Sequence, residues 1–329
     1  MSDLYMEHEF NPVNAVAVKR TSPTPFTKAN PKLQLAWDST SIGWLKTCPR
    51  KYQLKMLDNW TTKASAAPLE FGIMYHSALE SYDKARAKGL SHEEAQGLAV
   101  KEALIKSKTF APIDRKTGNL DSKRNRETLI RAIVWYLEHF KDDPAKTIIL
   151  DNGQPAVELS FRMEIGVPSP DGENYVLCGH LDRLVEMGDQ VYVMDHKTTS
   201  GTISNYYYQQ YSPNNQMSLY TLGSQVVLPK KAAGVIINAC QLAVGFARFH
   251  RGIVNRTQGQ LEEWLKDLEH WIKKAEAFAA CGYWPMNDTA CMLYGGCEFQ
   301  GVCSNDPSMR ETLLKSDFEK KIWNPLETR

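Results

Sequence analysis

Apolar residues recur at helical spacing through the first half of the chain and at strand spacing through much of the second. Asp38-Ser39-Thr40-Ser41 offers several N-caps ahead of Ile42, Leu45, Tyr52, Leu54 and Leu57, whose helical spacing breaks at Cys48-Pro49. Pro49 suits the first turn of a following helix, where its missing N–H costs nothing. Phe71, Met74, Tyr75, Ala78, Leu79 and Tyr82 predict a helix over Leu69–Lys88, with His76 and Glu80 on one face. Ser91-His92-Glu93-Glu94 reads as a capping box opening a helix to about Ser107. A Lys- and Arg-rich loop follows from Arg115 to Arg131, then a helix through Ile130, Ile133, Trp135, Tyr136 and Phe140.

From Pro155 the period changes to two. Ala156–Ile165 predicts a strand, and Gly179–Lys197 predicts two more around a tight Gly188-Asp189 turn. Gly234–Leu242 and Phe246–Ile253 predict a further pair. Between the two groups, Pro213–Tyr220 reads as a helix with Gln216 and Tyr220 on one face. A long amphipathic helix over Gln258–Ala280 runs through Leu261, Trp264, Leu268, Trp271, Ile272 and Phe278. This order predicts an α/β or α+β fold in one main domain over residues 36–305, with a helical portion near 70–150. Residues 1–35, with Pro12, Pro23, Pro25 and Pro31, read as a flexible arm, and 306–329 as a C-terminal tail.

Composition narrows the function classes. The 329 residues are 43% hydrophobic and 23% charged, as in an ordinary soluble globular protein. A net charge of +1 excludes a global basic field, so nucleic-acid contact must come from local groups such as Arg50, Lys51, Lys123, Arg124 and Arg126. No apolar run reaches membrane-spanning length and Met1–Phe10 is unlike a signal peptide, so a cytoplasmic protein is expected. Seven cysteines then argue for metal ligands or buried thiols over a disulfide framework. Cys178 and Cys240 sit in apolar runs, whereas Cys48, Cys291, Cys297 and Cys303 lie beside turn-forming or polar residues.

The candidate chemistry centres on Gly179–Lys197. Strand alternation puts Asp195 and Lys197 on one face and His196 on the other, and the hairpin brings Asp182 to the same surface. Two carboxylates suit Mg2+ or Mn2+, and the amine suits a developing anion. Taken alone, Asp-x-Lys reads far more readily as a surface ion pair, since such triplets are common by chance. Glu158, in the preceding strand, reads either as a further acid or as that strand's outward face, the second being preferred. Cys291-x5-Cys297-x5-Cys303, laced with Gly295, Gly296 and Gly301, is a loop able to wrap thiolates around a metal centre, with Cys48 the natural fourth ligand. Four thiolates suit an iron–sulfur cluster or zinc.

Together these residues resemble the PD-(D/E)xK nuclease superfamily, specifically RecB-like and Cas4-like exonucleases with an iron–sulfur cluster. The resemblance is an ordered set over roughly residues 38–305: Ser41–Tyr52 with Cys48-Pro49, Phe71-Gly72-x3-His76, Gly179-x2-Asp182-Arg183, Asp195-x-Lys197, Gln216-x3-Tyr220, and the three late cysteines. It implies a restriction-endonuclease-like α/β core, a mixed central sheet flanked by helices, with a cysteine-ligated module joining the two ends of the domain. His76, Asp182, Asp195 and the His196 carbonyl would bind Mg2+ or Mn2+. Lys197 would be the catalytic lysine, and Gln216 and Tyr220 would support the site and contact the strand. Cys48, Cys291, Cys297 and Cys303 would hold a [4Fe–4S] cluster, with zinc the alternative. Many members space the first two late cysteines by two residues; here five intervene, and Cys281 is a reserve ligand.

The chain has no Gly-x4-Gly-Lys-Ser/Thr helicase motif. The resemblance therefore implies a stand-alone DNA exonuclease like those carried by bacteriophages, or the nuclease subunit of something larger, acting in the bacterial or phage-infected cytoplasm. Its expected partners are DNA ends and a recombination or single-strand annealing protein or helicase. The alternatives are a non-catalytic iron–sulfur DNA-binding recombination partner and a structure- or sequence-specific endonuclease sharing the core.

Overall fold

The computed structural model describes residues 24–28, 30–63, 66–114 and 117–327; residues 1–23 of the expected arm and Arg115 of the basic loop lie outside them. In chain order the elements are β1 (Ala36–Trp37), α1 (Ser39–Thr47), α2 (Pro49–Tyr52, continued by a π-helical turn over Gln53–Leu57), β2 (Trp60–Thr62), α3 (Ala67–Ala87), α4 (His92–Lys106) and α5 (Arg126–His139). Then come β3 (Lys146–Thr147), β4 (Val157–Pro168), β5 (Asn174–Met187), β6 (Gln190–Thr199), α6 (Asn205–Gln209), α7 (Asn215–Val227), β7 (Gly234–Ala243) and β8 (Phe246–Val254). The chain closes with α8 (Gln258–Ala280), α9 (Gln300–Cys303), α10 (Pro307–Asp317) and β9 (Phe318–Lys320). Among the described residues no helix is long and apolar enough to cross a membrane.

Capping chemistry sets the helix starts where the polar residues predicted them. Asp38 accepts the Ser41 N–H at 2.9 Å, and Ser91 with Glu94, and Thr257 with Gln260, form capping boxes. Cys48 is extended between α1 and α2, with Pro49 opening α2.

One mixed sheet has the order β1-β5-β6-β7-β8, with β3 and β4 also paired to β5. β5 is its axis: β4 and β6 run antiparallel to it, while β1 is parallel. The β5–β6 hairpin turns at Gly188, whose φ of 62° is left-handed and suits glycine. β7 then pairs parallel to β6, from Tyr192–Gly234 to Thr199–Gln241. The crossover between β6 and β7 carries α6 and α7.

Helices cover both faces. On one, Ile42 and Leu45 of α1, Met217, Leu219 and Leu222 of α7, and Leu261, Trp264, Leu268 and Ile272 of α8 pack on Phe161, Leu177, Leu184, Val193, Val235 and Ile237. On the other, Phe71, Tyr75 and Leu79 of α3 join Ala99 and Ala103 of α4, Leu129, Ile133 and Tyr136 of α5, and Cys240 and Leu242 of β7. Gly223 lets α7 press against β4, since a Cβ there would stand 2.5 Å from the Phe161 ring.

Two expected appendages belong to the packed fold. Within the stretch read as an arm to residue 35, Phe26, Leu33 and Leu35 are buried in the main core. The expected tail carries α10, and β9 pairs antiparallel with β2. Trp323 meets Trp44 edge-on at 5.4 Å, and Leu326 is buried beside Ala36 and Cys178. α10 escapes a periodicity reading because it is almost wholly polar and buries only Leu314.

Candidate active site

The site forms where β5 and β6 lie side by side and α3 crosses their ends. The β5–β6 register pairs Arg183 with Met194, so the next step outward sets Asp182 opposite Asp195. Arg183 turns to the face under α3, where it meets Asp83 at 3.3 Å and donates to Thr147 Oγ1 at 2.9 Å and Ala145 O at 3.1 Å.

His76 reaches Asp182 from the middle of α3. Its Nδ1 lies 3.2 Å from Asp182 Oδ2, and its Nε2 donates to the His196 carbonyl oxygen at 2.8 Å. The His196 N–H donates to the same Asp182 Oδ2 at 2.9 Å. Both imidazole nitrogens therefore face acceptors, an arrangement that favours the cation. Burial pushes the His76 pKa down, but the charge and hydrogen bond of Asp182 outweigh it, and the net direction is up. Asp182 is correspondingly held low: burial raises it, and His76 and Lys197 more than reverse that.

Asp195 and Lys197 share a face as strand alternation requires. The Lys197 ammonium stands 2.8 Å from Asp195 Oδ1 and 2.7 Å from Oδ2, and Asp195 is only 1% exposed. Burial raises the Asp195 pKa, Lys197 opposes it and Asp182 adds to it, leaving it above the usual carboxylate range. For Lys197, burial lowers the pKa and the two carboxylates outweigh it, so the ammonium stays charged. Tyr207 of α6 adds to this field.

Glu158 corrects the sequence reading. It was expected on the outward face of its strand, yet it is 8% exposed and belongs to the site. The flanking pairs Val157–Arg183 and Leu159–Leu181 set it opposite Asp182, but its own rung is broken and its φ is 51°. A non-glycine residue in that left-handed region costs about 1–2 kcal/mol. The kink turns the carboxylate inward, and His76, Glu158 and Asp182 offer ligand atoms that all lie within 4.8 Å of one another. Asp195 lies outside that triad, held by Lys197.

Gln216 and Tyr220 meet as predicted from their spacing, Gln216 Nε2 donating to Tyr220 OH at 3.0 Å. Of the three tyrosines in α6 only Tyr206 is open, at 81% exposure. Tyr207 OH is 3.1 Å from Tyr211 OH, and Tyr208 OH is 2.8 Å from His250 Nδ1. The basic residues are also partly committed: Arg50 donates to Trp284 O at 2.8 Å, Lys51 lies 3.6 Å from Glu298, and Arg124 donates to Ser200 Oγ at 2.8 Å.

The four cysteines gather at a second place. Cys48 Sγ accepts the Asn287 N–H at 3.4 Å, and Asn287 Nδ2 donates to Thr47 O at 2.8 Å. The Cys297 N–H donates to Cys291 O at 2.7 Å, and Cys303 ends α9. Burial raises the Cys291 thiol, with Cys297 and Cys48 adding to it. At Cys303, burial again raises the thiol, Arg50 opposes, and Cys297 and Cys48 add. Among the described residues no three of these sulfurs lie within 4.8 Å of one another. Cys281 is exposed, its thiol donating to the Phe278 carbonyl at 3.4 Å and to that of Tyr283 at 3.6 Å.

A buried acid, lysine and histidine grouping at paired strand ends of a helix-flanked mixed sheet is the arrangement of a nuclease-type α/β protein. The chain belongs to the PD-(D/E)XK nuclease superfamily, whose family model matches residues 39–304. No curated protein sequence matches it significantly. Two solved structures overlap with it more loosely. A candidate exonuclease from Eubacterium rectale is 11% identical with a TM-score of 0.43, covering 78% of this chain and 86% of that one. SSO0001 is 12% identical with a TM-score of 0.30, covering 73% and 97%.

Proposed function

We propose that the protein is a divalent-metal-dependent DNA exonuclease that hydrolyses phosphodiester bonds. The observation that carries this reading is the convergence of His76, Glu158 and Asp182 beside the Asp195–Lys197 pair. Oxygen-rich donors with one imidazole suit Mg2+ or Mn2+. A bound ion supplies Lewis acidity and a water of lowered pKa. Asp182 and Glu158 bring the negative charge that holds it, with the His76 imidazole once its Nδ1 proton leaves, and Asp195 adjoins them. The His196 carbonyl fixes the His76 ring and is the main-chain oxygen available to the ion. Lys197 stays cationic against Asp195 and offers charge and a proton to the phosphate oxygens or the attacking water. Gln216 and Tyr220 support the rim, and Tyr206 offers an exposed ring to a nucleobase.

Cys48, Cys291, Cys297 and Cys303 hold a [4Fe–4S] cluster in this reading. Tetrahedral zinc at about 2.3 Å from each sulfur would bring the thiolates to about 3.8 Å apart. Zinc, which takes the same four thiolates, is the alternative occupant. A role in phage or bacterial recombination or repair, with an annealing protein or helicase as partner, belongs to the same proposal.

The test is digestion of 5′- and 3′-labelled linear DNA and of a circular substrate, with Mn2+, Mg2+ or chelator, by protein purified without air. Labelled mononucleotides or short oligonucleotides from linear DNA alone are expected, only with a divalent ion. Linearised circles would make it an endonuclease, and binding without cleavage under every ion would make it a non-catalytic partner.

A further inference from the structure

His196 serves the site through its peptide. Its carbonyl takes the His76 Nε2 proton at 2.8 Å and its N–H donates to Asp182 Oδ2 at 2.9 Å, so one peptide orients ligands from two elements. Its imidazole lies on the face under α3 and α5, edge-on to the His76 ring at 5.9 Å and 4% exposed.

There it begins a polar row that crosses three strands at one level. His196 pairs with Asn238 in the β6–β7 register, and Asn238 pairs with Arg251 in the β7–β8 register. Asn238 is 2% exposed in an otherwise apolar stretch between Ile236 and Cys240. Its Nδ2 donates to His196 Nδ1 at 3.2 Å and to Tyr136 OH at 2.5 Å. Its Oδ1 accepts from Arg251 Nε at 3.4 Å. The Arg251 fork is clamped by Asp143 at 2.7 and 2.6 Å and lies over the Phe140 ring at 3.9 Å. Tyr136 stands edge-on to the His196 ring at 5.8 Å.

Holding a sheet together does not call for this row. Val and Ile fill the neighbouring positions, and a buried ion pair adds little stability over apolar packing of the same volume. What the row does is fix the rotation and depth of one strand residue. That residue's peptide sets the donor atoms of Asp182 and His76.

We propose that Asn238, anchored by Arg251 and Asp143, is a positioning residue for the metal site, acting through the His196 ring on the His196 peptide. The proposal rests on the metal-site reading above. Residues that orient ligands without touching the metal typically change affinity about 10–100-fold when lost.

Mn2+ titration calorimetry tests it at temperatures well below unfolding, on wild type, Asn238→Leu, Arg251→Lys and Leu261→Ala, the last a core substitution in α8 on the opposite face. Asn238→Leu should bind Mn2+ about tenfold more weakly. Arg251→Lys, which keeps the charge and loses the fork, should fall between it and wild type. Leu261→Ala should lose thermal stability and bind as wild type does. Wild-type affinity in folded Asn238→Leu would overturn the proposal. If Asn238→Leu does not fold, Asp143→Asn is read the same way: weakened binding supports the row and unchanged binding overturns it. Absence of Mn2+ binding in wild type would instead sink the metal-site reading itself, and the proposal with it.

Discussion

Lys197→Met separates the electrostatic work of the site from its packing, because methionine keeps the apolar stem and removes only the ammonium. That ammonium stands 2.8 and 2.7 Å from the two oxygens of Asp195, which is 1% exposed. Breaking a buried ion pair by removing one partner costs about 3–5 kcal/mol. Lys197 keeps 24% of its side chain accessible, so the lower figure, about 3 kcal/mol at neutral pH, is expected. The cost depends on pH with a definite sign. Burial already pushes Asp195 up and Lys197 is the main influence opposing it, so the variant carries it higher still. A carboxyl whose folded pKa exceeds its unfolded value of about 3.9 loses stability as pH rises from there through the folded value. Metal-free Lys197→Met should therefore be near wild type in urea at about pH 4 and most deficient at pH 7. Adding Asp195→Asn should recover most of that deficit, since the orphaned charge goes with it. Single-turnover cleavage should fall about 100- to 1000-fold in both variants, with DNA affinity within a few-fold of wild type. Wild-type cleavage by Lys197→Met, or a double variant as unstable as the single one, would refute this reasoning.

Other predictions concern the ligands and the frame. Glu158→Gln should lower the cleavage rate about 30-fold or more while leaving circular dichroism unchanged, as expected for losing about 2 kcal/mol of metal-supplied stabilisation. Mn2+ binding should release about one proton per site below the raised His76 pKa and none well above it, read from calorimetry in buffers of different ionisation enthalpy. Burial pushes Asp143 up, yet the hydrogen bonds and charge of Arg251 hold it below the usual range. Its contribution is therefore present above about pH 4 and lost as pH falls, and Asp143→Asn should flatten the acid limb of the urea-midpoint profile. Cys303→Ser should remove the visible absorption of thiolate-held iron but keep the secondary-structure content, because β2–β9 pairing still joins the ends.

Much of this was legible in the sequence because local chemistry decided it. The caps at Asp38 and Ser91, the Gly188 turn and the Asp182, Asp195 and Lys197 grouping follow from spacing and strand alternation, while His76 joins them through the family resemblance. For Glu158 the sequence left a further acid and an outward face open and favoured the wrong one: period-two reading assumes an unbroken ladder, and its left-handed kink is a tertiary event. A hint lay in a lone acid opposite Asp182 in register, which becomes visible only when the pairing is known. The same holds for Asn238, whose polar character in an apolar run was readable but whose partners on β6 and β8 were not. The partial burial of Tyr207 and Tyr208 was not legible, because the packing of α6 on the core is set by the fold. The C-terminal segment was missed because its order comes from pairing with β2, not from its own apolar stripe.

That pairing also imposes an order in time. β2 finds its partner only when β9 has been made, and Leu54 closes its cluster only with Phe299, Val302, Leu314 and Phe318. Cys48 waits as long for Cys291, Cys297 and Cys303. During synthesis the sheet, its hairpin and the acids can assemble while the cysteine-bearing flank is still open, since domains and their parts form as their contacts emerge. A chain stalled before residue 318 would thus carry the assembled acids and lysine beside an unpaired β2 edge and bare aromatic surface. Quality-control proteases would have a clear mark by which to remove a nuclease that is armed but not yet fastened.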